Sequence, residues 1–310
     1  MIRIRVPAST SNLGSGYDAL GLAVGLYLTL EIEPSPGPLG TFAFEGEGAE
    51  ELRSQAHENL IFETMRMVAS REEAELKPAR IRVHNQIPLA RGLGSSGAAI
   101  VAGISAFEVL TGVALETGKI MAYAAEIEGH SDNVSAALLG SFVVSCMADS
   151  GAVLAGRIEW PGDIRAVVVI PDFMVRTHDA RSAIPHMVPH REAVFNVQRS
   201  SLMVAAIATG RRDLIREAMK DRLHQQYRAR LAPGLKEVLE FMENDGMPLS
   251  DLKGFLGLSL SGSGPTILAL ATSDFEAVAS AISAEFVSRG IACRSEVFSI
   301  EPKGRVVERL

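Results

Sequence analysis

The sequence predicts a fold of mixed helices and strands, in one large domain or two of ordinary size. Three observations carry this. The chain has 310 residues, 47% of them apolar, so a large core is within reach. Short alternating apolar runs are interleaved with longer runs at helical spacing. Residues 157–163, with Trp160-Pro161-Gly162 inside, read as a boundary between 1–160 and 161–310.

Ile2, Ile4 and Val6 alternate with Arg3 and Arg5, giving a first strand with one buried face that Pro7 ends. The polar stretch from Pro7 to Asp18 then reads as a surface loop, in which Asn12 and Asp18 suit an ammonium or hydroxyl-bearing ligand. Strands are expected at 26–32 and 41–44, joined by a Pro/Gly-rich turn at 34–40. An amphipathic helix covers 59–69, capped by Glu58 or Asn59, and a third strand covers 81–84. After Ala98, Ile100, Val101, Ile104 and Phe107 recur at helical spacing until Thr111-Gly112. Another helix runs from about 116 to 127, and a short one, capped by Ser131 or Asp132, precedes strands at 142–146 and 164–170.

The second half opens with a polar segment holding Thr177 and Arg181. A long helix at 190–208 places Val194, Val197, Met203 and Ile207 on its apolar face. Shorter helices follow at 213–219 and 234–242, and His224 between them reads as a satisfied structural histidine. A strand, a glycine turn and a strand span 258–267; a helix at 274–289 and a last strand at 291–298 complete the chain. There is no internal repeat.

The chain is organised around Pro88-Leu89-Ala90-Arg91-Gly92-Leu93-Gly94-Ser95-Ser96-Gly97-Ala98, between a strand and a helix. That placement suits phosphate. The first amides of a helix lack intrahelical partners and carry the positive end of its dipole. The glycines let backbone approach a polyphosphate, and Ser95 and Ser96 can cap the helix or ligate magnesium. A tight turn with an ordinary cap explains the same residues. Gly92 to Gly97 also fits the dinucleotide fingerprint, but Pro88 and Arg91 intrude where an apolar strand should enter, and Glu116 follows the helix stop. No Walker A loop is present.

The net charge of −7 and the lack of a basic run disfavour nucleic acid. Cys146 and Cys293 sit in apolar runs and read as buried free thiols of a reducing compartment. The N-terminus lacks a signal-peptide core, and the longest apolar run, 19–30, is too short to span a bilayer. The expectation is a cytoplasmic protein. A homodimer is allowed, without an interface signature.

Three glycine/serine segments, 7–18, 88–98 and 260–266, in this order and spacing resemble the three motifs of the GHMP small-molecule kinases. Within that superfamily three particulars are similar to the homoserine kinases. These are Ser11-Asn12-Leu13-Gly14-x-Gly16-Tyr17-Asp18, Glu128-Gly129-His130-x-Asp132-Asn133 and Leu223-His224-Gln225-x-Tyr227-Arg228. The resemblance implies an α+β, two-domain GHMP kinase fold, with an N-terminal domain like the second domain of ribosomal protein S5 and a ferredoxin-like C-terminal domain. It implies transfer of the γ-phosphoryl group of Mg-ATP to the hydroxyl of L-homoserine, a step in threonine biosynthesis. In that picture the loop from Pro88 to Ala98 binds ATP; Ser96 with Glu126 or Glu128 holds Mg2+; and Thr177 lies near the γ-phosphate. Asn12, Asp18, His130 and Asp132, with Gly262 and Ser263, surround the amino group and hydroxyl of the substrate, and Arg181 and Arg228 bind its carboxylate. Asn133 stands where some relatives have a general base, and a neutral amide cannot take a proton; Asp132 is the alternative. Ser15, Ser131 and Gly97 depart from the family pattern without removing a chemical group.

Three other readings remain open on sequence. A different GHMP kinase leaves the acid and arginine sets unexplained. A dinucleotide-dependent oxidoreductase predicts NAD(P) binding. A non-catalytic relative keeps a phosphate loop with no use for it.

Overall fold

The computed structural model describes residues 1–36, 41–54, 59–240 and 252–310. Glu58, part of the expected 34–40 turn and the expected helix end at 241–242 lie outside them.

Strand β1 (Ile2–Asn12) does not stop at Pro7. Proline lacks an N–H, so the ladder shifts register there, from Pro7 opposite Tyr27 to Ala8 opposite Val24, and then continues. Most of the expected surface loop is therefore buried strand, with Ser9, Thr10 and Ser11 nearly inaccessible. β2 (Gly16–Pro34) absorbs the whole apolar run at 19–30, pairing with β1 along its length. β3 (Thr41–Gly46), α1 (Ala49–Ser54), α2 (Leu60–Arg71) and β4 (Ala79–Asn85) form a crossover that leaves β3 parallel to β4. α2 starts as expected, with Asn59 Oδ1 accepting from Phe62 N over 2.9 Å.

Helix α3 (Ser95–Thr111) is apolar almost all round and lies in the middle of the first core. α4 (Thr117–Glu128) and α5 (Asp132–Leu139) follow, then the hairpin β5 (Phe142–Met147) and β6 (Val153–Ile158). β6 was not expected; its half-exposed sequence lacks an apolar alternation. Cys146 is exposed and Cys293 half-buried, so neither is the buried thiol the apolar context suggested.

The segment at 157–163 carries the chain from the first sheet into the second. β7 (Arg165–Pro171) alternates between two cores. Ala166, Val168 and Ile170 face the first, and Val167 and Val169 the second. This two-sided burial explains its unbroken apolar run. α6 (Thr177–Ser182), α7 (His190–Thr209), α8 (Ile215–Ala218), α9 (Gln225–Arg228) and α10 (Leu235–Glu240) come next. On α7 the buried face is Asn196, Met203, Ala206 and Ile207. Val194 and Val197 are exposed, because the polar Asn196 turns inward to bond Ser15 O and Asp221 Oδ1.

β8 (Phe255–Leu260), β9 (Ile267–Ala271), α11 (Phe275–Val287) and β10 (Cys293–Phe298) complete an antiparallel sheet, four-stranded among the described residues and ordered β10-β7-β9-β8. β10 is not the last strand. β11 (Val306–Arg309) crosses back and pairs with β1, at one edge of a sheet of seven strands among the described residues. β4 runs antiparallel to β2, so Gly92 to Gly97 do not open a doubly wound parallel sheet and the dinucleotide reading fails. Among the described residues no helix is long and apolar enough to cross a membrane.

Asn59→Ala should destabilise the protein by about 1 kcal/mol through loss of the α2 cap. Urea unfolding checks it, and an unmoved midpoint would show that the cap carries nothing.

Candidate active site

The glycine-serine loop leaves β4 under tight control. Asn85 Nδ2 donates to Glu47 O and Ile87 O, and its Oδ1 accepts from Ile87 N. Gly92 and Gly94 have φ of 78° and 67°. A Cβ on Gly92 would come 2.2 Å from Ser261 O, and one on Gly94 2.1 Å from Ser9 Oγ. Conformation and contact both demand glycine there.

Five consecutive carbonyls of this loop are bonded to protein. Ala90 O accepts from Val175 N, Arg91 O from Thr266 N, Leu93 O from Ser9 N and Gly94 O from Ala98 N. Gly92 O accepts from Ser261 Oγ over 2.6 Å. The amides of Gly92 to Gly97 have no protein acceptor among the described residues. The N-cap of α3 is Gly94, without a side-chain cap, so neither Ser95 nor Ser96 takes the capping role expected of it. An open amide edge at the N-terminus of a seventeen-residue helix is suited to an anion.

Ser96 Oγ donates instead to Glu128 Oε2 over 2.7 Å. Glu126, the other candidate for metal, points away. It is paired with Arg71 at 2.5 and 2.6 Å, and more than half its side chain is exposed. Two residues' advance along α4 turns a side chain by about 200°, so Glu126 and Glu128 cannot share a target.

The turn from α4 to α5 brings more charge. His130 Nδ1 lies 2.5 Å from Asp132 Oδ1, and its Nε2 is 3.8 Å from Glu128 Oε1. Burial works against charge on His130, but the Asp132 hydrogen bond and both carboxylates outweigh it and raise its pKa. Burial pushes the Glu128 carboxyl up against the pull of His130 and Ser96. Burial also works against the charged Asp132, yet the bond to His130 and the Asn133 N–H hold it below its ordinary value. Asn133 is bonded at both ends. Its Oδ1 accepts from Ser9 Oγ, and its Nδ2 donates to Ser11 Oγ. Its role here is to lock α5 to β1.

Across the cleft, Arg181 and Asp18 form a two-pronged ion pair at 2.7 and 3.0 Å. Asp18 N donates to Asn12 Oδ1, and Asn12 Nδ2 to Gly262 O. Asn12 and Asp18 both hold positive φ, 70° and 57°, unusual for residues with a side chain. Buried Arg228 donates from Nη1 to Gly262 O over 2.7 Å.

One cleft is lined by Asn12, Asp18, Glu128, His130, Asp132 and Asn133 from the first half. Thr177, Arg181, Arg228, Gly262 and Ser263 line it from the second, with Ala90, Gly92, Gly94, Ser95 and Ser96 of the loop between. Its free volume is only about 50 Å³ with Asp18 and Arg181 paired. Pro88, Leu89 and Arg91 instead line a neighbouring cleft of about 440 Å³, beside Glu47, Asp172 and Met174. Leu93 and Ala98 are buried in the first core. Gly97 packs on Asn133 and Val134. Two contributors escaped sequence reasoning. Ser11 lines the cleft from β1, and Tyr17 lies under both arginines, its ring 5.8 Å from the Arg181 guanidinium and 5.2 Å from that of Arg228. Both lie in the stretch 7–18 whose polar sequence reads as a loop.

Known proteins place this arrangement. The models for the GHMP kinases N terminal domain and the GHMP kinases C terminal match residues 59–141 and 203–288. A homoserine kinase of Solibacter usitatus is 37% identical over 302 residues, covering 97% of this chain and 95% of that protein. One from Thermus thermophilus is 43% identical over 275 residues, covering 89% of this chain and 88% of that protein. A solved homoserine kinase from Cytophaga hutchinsonii superposes with a TM-score of 0.81 at 27% identity, covering 99% of this chain and 97% of that one. A mevalonate kinase from L. major, at 16% identity and a TM-score of 0.67, shares the fold alone. With its two-domain fold and its near full-length identity to these proteins, the chain belongs to the homoserine kinase family of the GHMP kinases.

Proposed function

We propose that this protein transfers the γ-phosphoryl group of ATP to the side-chain hydroxyl of L-homoserine, giving O-phospho-L-homoserine in the cytoplasm, within threonine biosynthesis. The observation that carries this reading is the pairing, in one cleft, of an open amide edge with an Asp18–Arg181 ion pair. The first suits a triphosphate and the second a zwitterion. Residues 1–160 would supply the loop and 161–310 the arginines, with β11 crossing back.

Phosphoryl transfer passes through a loose transition state, so positioning and charge stabilisation dominate. The amides of Gly92 to Ser96 would hold phosphate oxygens, and Thr177 would donate to the γ-phosphoryl group. The cleft beside Pro88, Leu89 and Arg91 is wide enough for the nucleoside. Ser96 Oγ and the Glu128 carboxylate, 2.7 Å apart, are hard oxygen donors of the kind Mg2+ takes, and they would hold it. That ion supplies neutralising charge to the transferring group.

At the other end an exchange of partners accounts for selectivity. The ammonium of the substrate takes Asp18, aided by Asn12, and its carboxylate takes Arg181 and Arg228. Each charge released from the Asp18–Arg181 pair finds a new partner. A plain anion frees Asp18 without compensation, an unfavourable step that solvent moderates because each side chain of the pair is about one-third exposed. His130 and Asp132 orient the hydroxyl. Asp132, held below its ordinary pKa, is a weak base, and the Asn133 amide is none. The reading therefore sends the hydroxyl proton to a phosphoryl oxygen or to solvent.

In a coupled ADP-release assay, turnover with L-homoserine should far exceed that with L-threonine, L-serine or mevalonate; preference for an acceptor without an amino group would refute the substrate assignment. Asp18→Asn should raise the KM for L-homoserine by about tenfold or more while leaving that for ATP unchanged. An unaltered homoserine KM would remove Asp18 from the site. Glu128→Gln should raise the Mg2+ concentration for half-maximal rate about tenfold, with Glu126→Gln as an inert control. The opposite pattern would reverse the choice between the two glutamates.

A further inference from the structure

His224 is wholly buried and has no part in the chemistry described above. Its backbone is fixed by Asp221, whose carboxylate accepts from the amides of Leu223, His224 and Gln225 and from Asn196 Nδ2. The imidazole then reaches in two directions. Nε2 lies 2.8 Å from Gly14 O, in the turn between β1 and β2. Nδ1 lies 3.4 Å from Nη1 of Arg228. The ring also packs on Tyr17, with centroids 5.3 Å apart.

These contacts fix the proton. A carbonyl oxygen only accepts, so Nε2 must carry the hydrogen. A guanidinium only donates, so Nδ1 must offer its lone pair. Both demand the same neutral tautomer, and an imidazolium would place a second buried cation against Arg228. Burial, with the Arg228 charge, lowers the His224 pKa and favours the neutral form against the pull of the Asp221 carboxylate, whose Oδ1 lies 3.7 Å from Nε2.

Arg228 is held by this partner and two others. Nη1 donates to Gly262 O and reaches His224, and Nε donates to Ala180 O. Nη2 has no acceptor among the described residues, and Arg228 lines the cleft. His224 thus joins the turn that carries Asn12 and Asp18 to the guanidinium that faces them.

We propose that His224 is a positioning residue. Its neutral Nε2–H imidazole ties the 12–18 turn to Arg228 and so sets the spacing between the acid and the guanidinium that recognise a zwitterionic amino acid. This rests on the function proposed above, and its test separates the two. Wild-type turnover with L-homoserine examines the function itself.

For His224, the alanine variant should raise the KM for L-homoserine about tenfold or more, with kcat and the KM for ATP within about threefold. His224→Gln, whose amide can still donate to Gly14 O, should fall between. An unchanged homoserine KM in His224→Ala would overturn the proposal, as would equal rises for both substrates. NMR of the 15N-labelled imidazole supplies a readout independent of acceptor and of variant folding. In the wild-type protein His224 should be neutral with hydrogen on Nε2, and Arg228→Lys should move the Nδ1 resonance. A charged ring or an Nδ1–H tautomer would also overturn it.

Discussion

The site depends on how the glycine-serine loop spends its backbone hydrogen bonds. A buried carbonyl without a donor costs on the order of 1–3 kcal/mol, so a loop crossing the middle of a protein must find donors. Here the carbonyls of Ala90 to Gly94 find theirs on β1, at the edge of α6, in the turn after β8 and in α3 itself. Those partners come from both halves of the chain. With every carbonyl committed to protein, the amides are left on the open side. The proposed anion site follows from satisfying the other half of the peptide groups, and glycine at 92 and 94 is what lets the loop come close enough to do so.

The same economy governs the cleft. Its charged groups are partnered within the protein, Asp132 by His130, Glu128 by Ser96, Asp18 by Arg181 and Arg228 by carbonyls. Strain accompanies this order, in the positive φ of Asn12 and Asp18. A rigid and balanced cleft admits a ligand that can replace the partners it displaces. Such a cleft would favour a zwitterion over a bare alcohol or a bare anion, through no group beyond those that line it.

Much of this was legible in the sequence, for local reasons. The Asn59 cap, the alternation of β4 and the Gly112 stop of α3 depend on near neighbours, and they appear as read. What failed depended on distant ones. Pro7 reads as a stop because the bulge that accommodates it is set by β2. The polar run from Ser9 to Asn12 reads as loop because its partners lie on α5, on β2 and after β8. β11 carries only four residues, two of them charged, and is a strand because β1 offers it an edge. Glu126 and Glu128 are chemically alike, and only the rotation of α4 sends one to Arg71 and the other to Ser96. His224 and Tyr17 stand inside motifs with recognisable neighbours, but the contact of Tyr17 with Arg228 and that of His224 with Gly14 cross between the halves.

The seat proposed for the triphosphate is the amide edge from Gly92 to Ser96. A crystal structure with Mg2+ and a non-hydrolysable ATP analogue tests it most directly. Phosphate oxygens should lie within hydrogen-bonding distance of those amides, with the loop backbone unmoved. Phosphates bound elsewhere, over a bare loop, would contradict it.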